Sequence, residues 1–126
     1  MAKVRLLIDT DIFIDYLNAG FLHQLFEEKG YEVYYSIVTK KELLSKPGLR
    51  DSERQAILHT LKKHRLLPLT DSIARTYSDL RRQYPSLEKE DALIAASALS
   101  KRLPLLTRNW KHYRAIKGLT LFKGPS

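Results

Sequence analysis

Four residues of this sequence combine reactive side chains with surroundings that could put them to use: Asp9, Glu42, Asp91 and Asn109. Asp9 follows the apolar run Leu6-Leu7-Ile8, and Glu42 lies within Thr39-Lys40-Lys41-Glu42-Leu43-Leu44. Asp91 directly precedes the nearly apolar run Ala92–Leu99, and Asn109 follows Leu105–Thr107. Carboxylates set beside apolar runs in distant parts of a chain could meet in one small cleft. At ~5 Å and an effective dielectric of ~20, each pair would repel by about 3 kcal/mol. A divalent cation offsets that repulsion. Mg²⁺ prefers one or two carboxylates completed by water and substrate phosphate, and Mn²⁺ accepts a similar shell. Such an ion activates water for attack on phosphorus and stabilises the leaving oxygen.

Each of these residues also has a simpler role open to it. Asp9, Thr10 or Asp11 could cap the helix that follows. Thr39 and Glu42 match a capping box, in which the acid reaches back to a backbone N–H. Asn109 could be an ordinary turn residue ahead of Trp110. Asp91 fits such a role least well. The helix dipole favours an early-turn acid, but Glu88 and Glu90 already meet that need.

The elements that must hold these residues alternate between strand and helix. Val4–Ile8 reads as a strand, and Asp11–Leu17 carries Ile12, Phe13, Tyr16 and Leu17 at helical spacing. The spacing predicts a helix over Phe21–Lys29 closed by Gly30, a strand over Val33–Ser36 and a helix over Ile37–Leu44. A turn at Pro47-Gly48 leads to a helix over Asp51–His64, a strand over Leu66–Leu69 and a helix over Ser72–Tyr84 capped from Asp71. After Pro85, Glu90–Lys101 should be a buried central helix, followed by strands at Leu105–Thr107 and Leu119–Phe122. Alternation of this kind makes an α/β protein with a parallel sheet and helices on both faces. Chemistry in such sheets collects at the carboxyl ends of the strands, where Asp9 and Asn109 fall.

Composition narrows the function classes. A chain of 126 residues with 44% apolar residues fits one domain with a core. The absence of Cys excludes disulfides, thiolate metal sites and thiol nucleophiles, and makes a cytoplasmic setting natural. Leu6-Leu7-Ile8 is too short for a signal peptide, and no stretch approaches a membrane span. His23, His59, His64 and His112 form no His-x-x-x-His pair, which disfavours zinc or histidine catalysis. No Gly-rich phosphate loop or Gly-x-Ser-x-Gly turn is present. The net charge is +8, nothing after Asp91 is acidic, and seven bases follow it. A second basic cluster runs from Lys40 to Arg65. Basic clusters are either solvated helix faces or a phosphate-binding surface.

Taken in order, Leu6-Leu7-Ile8-Asp9-Thr10-Asp11, Glu42 in its Thr39–Leu44 context, Asp91-Ala92-Leu93-Ile94-Ala95-Ala96 and Leu106-Thr107-Arg108-Asn109 resemble the PIN-domain nucleases, specifically the VapC-type toxins. The likeness spans nearly the whole chain. It implies a Rossmann-like, PIN-like parallel sheet forming a single domain over residues 1–126. It implies a metal-dependent endoribonuclease that cleaves RNA phosphodiester bonds as the toxin of a type II toxin–antitoxin pair. It also implies a small antitoxin partner and homodimerisation. Carried over by position, Asp9 and Asp91 would be the principal ligands of Mg²⁺, or of Mn²⁺, with Glu42 as third acid. Asn109 stands where many relatives have Asp, and His112 where an acid is frequent. A cluster so short of charge would bind a second ion poorly. Lys40, Lys41, Arg108 and Lys111 are the bases expected to meet RNA phosphates.

Two other readings compete. Asp9-Thr10-Asp11 also resembles the Asp-x-Asp motif of haloacid-dehalogenase-type phosphatases, but those usually place Thr or Val where this chain has Phe13. A PIN-like RNA-binding or regulatory module without turnover is the other, and metal-dependent turnover separates it from a nuclease.

Overall fold

The structure is a computed structural model and describes residues 2–124. Four parallel strands, β1 (Val4–Ile8), β2 (Tyr31–Ser36), β3 (Arg65–Leu67) and β4 (Leu105–Leu106), form one sheet in the order β3-β2-β1-β4. Beyond the charged residues Arg5, Glu32 and Arg65, the strands are largely apolar on both faces because both faces are covered. In β1, Leu7 packs into one core, while Leu6 and Ile8 pack into the other.

One layer holds α1 (Thr10–Ala19), α2 (His23–Glu27) and α4 (Asp51–Lys62), which bury Phe13, Phe26 and Ile57 beside Leu6 and Ile8. The other holds α5 (Asp71–Gln83) and α6 (Lys89–Lys101), with Ile73, Leu80 and Ile94 beside Leu7. Between the layers, α3 (Ile37–Leu44) gives Val38 to one core and Leu43 to the other. From β1 the chain steps through β2 to β3 on one side, then crosses back to place β4 on the other side of β1. That reversal opens a crevice at the carboxyl ends of β1 and β4, the place where open α/β sheets bind ligands. Among the described residues, no helix is long and apolar enough to cross a membrane.

Several boundaries differ from the sequence reading, each for a local reason. Gly20, at φ 69°, closes α1, and Leu22 also adopts a left-handed backbone, so α2 begins only at His23. Pro68 lacks an N–H for the ladder, and β3 stops at Leu67. The cap of α5 is Thr70, whose hydroxyl accepts from the Ile73 N–H at 3.2 Å, rather than Asp71. Residues 119–122 contribute a single parallel bridge, Leu105 to Leu121, instead of a strand. A short helix not foreseen from the sequence, α7 (Trp110–Tyr113), lies across the crevice end of α6.

Candidate active site

Asp9 leaves the end of β1 as the N-cap of α1, so the capping role weighed from sequence is real. Its Oδ1 accepts the Thr10 N–H at 2.8 Å. That bond uses one oxygen. The other, Oδ2, accepts the hydroxyls of Thr107 at 2.8 Å and Tyr113 at 3.3 Å. Asp9 is only 5% exposed, and burial, reinforced by the charge of Asp11, pushes its pKa up to about 6. The hydrogen bonds from Thr107 and Thr10 act against that rise, and Asp91 adds to it.

Asp91 reaches the same point from the first turn of α6. The helix approaches closely because Ala92, Ala95 and Ala96 are wholly buried against the sheet. The Tyr113 hydroxyl lies 3.0 Å from Asp91 Oδ1, and His112 Nδ1 lies 2.9 Å from Asp91 Oδ2. Tyr113 is fully buried, and that burial, with the adjoining carboxylates, holds its pKa far above the usual range. The phenol therefore stays protonated. One proton cannot serve two acceptors, so Tyr113 bridges the acids while satisfying one at a time.

Glu42 is linked to Asp9 through Thr10. Its Oε1 accepts the Thr10 hydroxyl at 2.9 Å, which leaves the buried Thr39 hydroxyl to donate to Thr10 at 2.8 Å. The capping box considered for Thr39 and Glu42 does not form, because α3 starts earlier, with Ser36 accepting from the Val38 N–H. Among the described residues, no three carboxylate or imidazole groups gather tightly enough to enclose a metal alone. The arrangement is a pair, Asp9 and Asp91, with Glu42 beside it. Glu42 also borders an apolar groove of about 400 Å³ between α1, α3 and α4, lined by Ile14, Leu17, Leu43, Leu49 and Ile57.

Asn109 is exposed. Its backbone N–H donates to the Thr107 hydroxyl at 3.0 Å, and its side chain does not cap α7. Asp11 turns to the rim, where Oδ2 accepts the Arg108 N–H at 3.1 Å and Oδ1 is buried with no hydrogen-bond partner among the described residues. Burial raises the Asp11 pKa as well. The Arg108 guanidinium pairs with Asp11 and, at 3.2 Å, with Asp15. Lys41 and Lys111 are exposed, and Lys40 is half-buried.

The donor set tests the fit of a hard divalent ion. It consists of carboxylate and hydroxyl oxygens, it is short of positive charge around Asp9, and it offers two carboxylates rather than a closed cage. Mg²⁺ binds in that manner, keeping several waters.

The family description "PIN domain" matches residues 6–118 of the chain. The chain belongs to the PIN-domain family. It is 34% identical over 115 residues to Ribonuclease VapC19 of Mycobacterium tuberculosis, covering 85% of this chain and 90% of that one. With Ribonuclease VapC1 of Methanocaldococcus jannaschii it shares 28% identity over 125 residues, covering 94% and 87%. A solved toxin–antitoxin complex from Klebsiella pneumoniae superposes with a TM-score of 0.77 at 28% identity, over 91% of this chain and 95% of that one. In this PIN domain, Asp9, Asp91 and Glu42 were legible as acids in sequence. Tyr113, which organises them with Thr107, belongs to no motif of the sequence. Tyr113 had a signal: with Ile116 it makes an apolar pair at helical spacing inside an otherwise basic segment.

Proposed function

We propose that this PIN domain, read as one domain over the whole chain, is a VapC-type ribonuclease and the toxin of a type II toxin–antitoxin pair. The observation that carries this reading is the convergence of Asp9 and Asp91 on the Tyr113 hydroxyl at the sheet's crevice. Asp9 and Asp91 would hold Mg²⁺, or Mn²⁺, with Glu42 beside them. When bound, the ion supplies a water activated for attack on phosphorus and neutralises charge on the leaving oxygen. Thr107 and Thr10 fix the two oxygens of Asp9. Tyr113, acting through both acids, is a positioning residue that keeps them at a set separation. Glu42, held by the Thr10 hydroxyl, would serve as the third acid beside the pair. Asn109 at the rim offers an uncharged amide. Lys40, Lys41, Arg108 and Lys111 are the bases that bring phosphates toward the acids.

The VapC identity of the relatives and the complex from Klebsiella pneumoniae support a small antitoxin partner, and a homodimer belongs to the same reading. The apolar groove beside Glu42, with Ile14 43% exposed at its edge, suits an apolar segment of such a partner.

The test is incubation of the purified protein with structured RNAs in Mg²⁺, in Mn²⁺ and in chelator. Cleavage should require the ion, and Asp9→Asn or Asp91→Asn should reduce it by at least about a hundredfold while circular dichroism stays unchanged. Cleavage that persists in chelator would remove the mechanism. Wild-type turnover in Asp9→Asn would leave that residue a helix cap and nothing more.

A further inference from the structure

Thr107 also lines a shallow recess of about 400 Å³, together with Phe21, Trp110, Arg108, Phe122 and Lys123. Two of its aromatic side chains are held out in solvent, Phe21 at 47% and Trp110 at 49% exposure. Large apolar side chains grouped at a rim mark a binding surface more often than isolated ones do. The Trp110 ring is not loosely held. The Trp110 indole N–H donates to the Thr107 carbonyl at 3.0 Å, which fixes the orientation of the ring while leaving its face open. Phe21 sits between Gly20 and Leu22, both in the left-handed region at φ 69° and 55°. A branched residue such as Leu22 rarely adopts that conformation, so the turn presents Phe21 at a cost in backbone strain.

The surroundings decide what would cover these rings. Nothing after Asp91 is acidic, and Lys123 stands at the recess beside Arg108, whose charge is shared with Asp11 and Asp15, so Lys123 is the cation that favours a phosphate backbone there. Thr107 joins the recess to the reacting centre, with its hydroxyl on Asp9 and its carbonyl on Trp110. A strand lying across the crevice would therefore bring a nucleotide onto the indole within a residue's width of the acids. We infer that Trp110, with Phe21 in the same recess, forms a stacking platform for an unpaired base of single-stranded RNA next to the cleaved bond. This inference rests on the ribonuclease reading and adds a residue that meets the substrate: the Trp110 indole, on which the base beside the cleaved bond stacks.

Trp110 is the only tryptophan in the chain, so its emission reports on this site alone. The full-length protein, in chelator to prevent turnover, is titrated with unlabelled oligoadenosine and oligouridine of about ten nucleotides. An abasic ribose-phosphate oligomer of equal length provides the same charge without bases. The RNAs should quench the emission saturably and the abasic strand should not. Trp110→Ala should weaken RNA binding, followed by anisotropy of an end-labelled strand, about tenfold, while Trp110→Phe keeps most of it. Equal quenching by the abasic strand, or unchanged affinity in Trp110→Ala, would overturn the platform. So would a Trp110→Ala variant that binds RNA normally but loses its partner protein or its self-association, because the recess would then be a protein interface. Cleavage measured in parallel separates the two readings. Wild-type cleavage without quenching removes the platform alone, and quenching without metal-dependent cleavage removes the nuclease reading alone.

Discussion

Asp9 has its two oxygens engaged by three donors, yet its pKa is pushed up to about 6, because burial and the neighbouring acid Asp11 outweigh those bonds. A carboxyl whose folded pKa lies above its ordinary value stabilises the fold in the protonated form. That contribution is complete below pH ~4 and is lost as pH rises through about 6. The penalty for ionisation at neutral pH is on the order of 3 kcal/mol. In chelator, Asp9→Asn should thus melt close to wild type near pH 4 and above it near pH 7.5. Added Mn²⁺ should reverse the order at the higher pH by binding the wild type alone. Melting curves at both pH values, with and without the ion, check this; an Asn variant that melts lower throughout in chelator would mean the cap outweighs the buried charge. Tyr113 offers a separate measurement. Removing its hydroxyl in Tyr113→Phe takes a shared donor from two acids and should weaken Mn²⁺ binding about 10–100-fold in calorimetric titration, as loss of outer-shell partners does. Unchanged affinity would reduce Tyr113 to a packing residue.

At the level of elements, legibility followed the strength of the local pattern. β1 was plain in sequence because Leu6-Leu7-Ile8 has no polar interruption, and α3 matched at both ends, Ile37–Leu44. The burial of α6 was evident because its small and apolar residues surround the helix, and that burial is what carries Asp91 inward. What the pattern hid depends on tertiary contact. α7 is only four residues long and reads as Trp-Lys-His-Tyr, too short and too polar to show a periodicity of its own. It is held by packing against α6, with Tyr113 buried and Trp110 tied to Thr107. The residues most responsible for joining Asp9 to Asp91 consequently lay in the segment with the weakest signal. The capping chemistry was misplaced for a related reason. Thr39-x-x-Glu42 and Asp71 carry the right residue types, but Ser36 and Thr70 sit where the chain turns, and sequence alone ranks such neighbours poorly.

Across the molecule, a charge of +8 attracts phosphates but says little about which bases touch them, and the structure divides the four bases named from sequence. Lys41 and Lys111 are exposed, and Lys111 borders the recess that also holds Asp91 and His112. Arg108 differs because Asp11 and Asp15 already offset its charge. Each cation that displaces a counterion from single-stranded RNA adds about 0.7 to the slope of log affinity against log salt. Wild-type binding should therefore weaken steeply with salt, and Lys111→Ala should reduce the slope by about 0.7, for many RNA sequences alike. Removing Lys40 and Lys41 together should reduce it by more than one such step and less than two, since Lys40 is half-buried. Arg108→Ala should change the slope less than Lys111→Ala, even where it lowers affinity, because it also leaves the charges of Asp11 and Asp15 without their cation. Anisotropy titrations of one labelled RNA at several salt concentrations measure all four proteins on one scale. A flat wild-type profile would contradict phosphate binding altogether, and an Arg108→Ala slope that falls as far as that of Lys111→Ala would show that its ion pairs open when RNA binds.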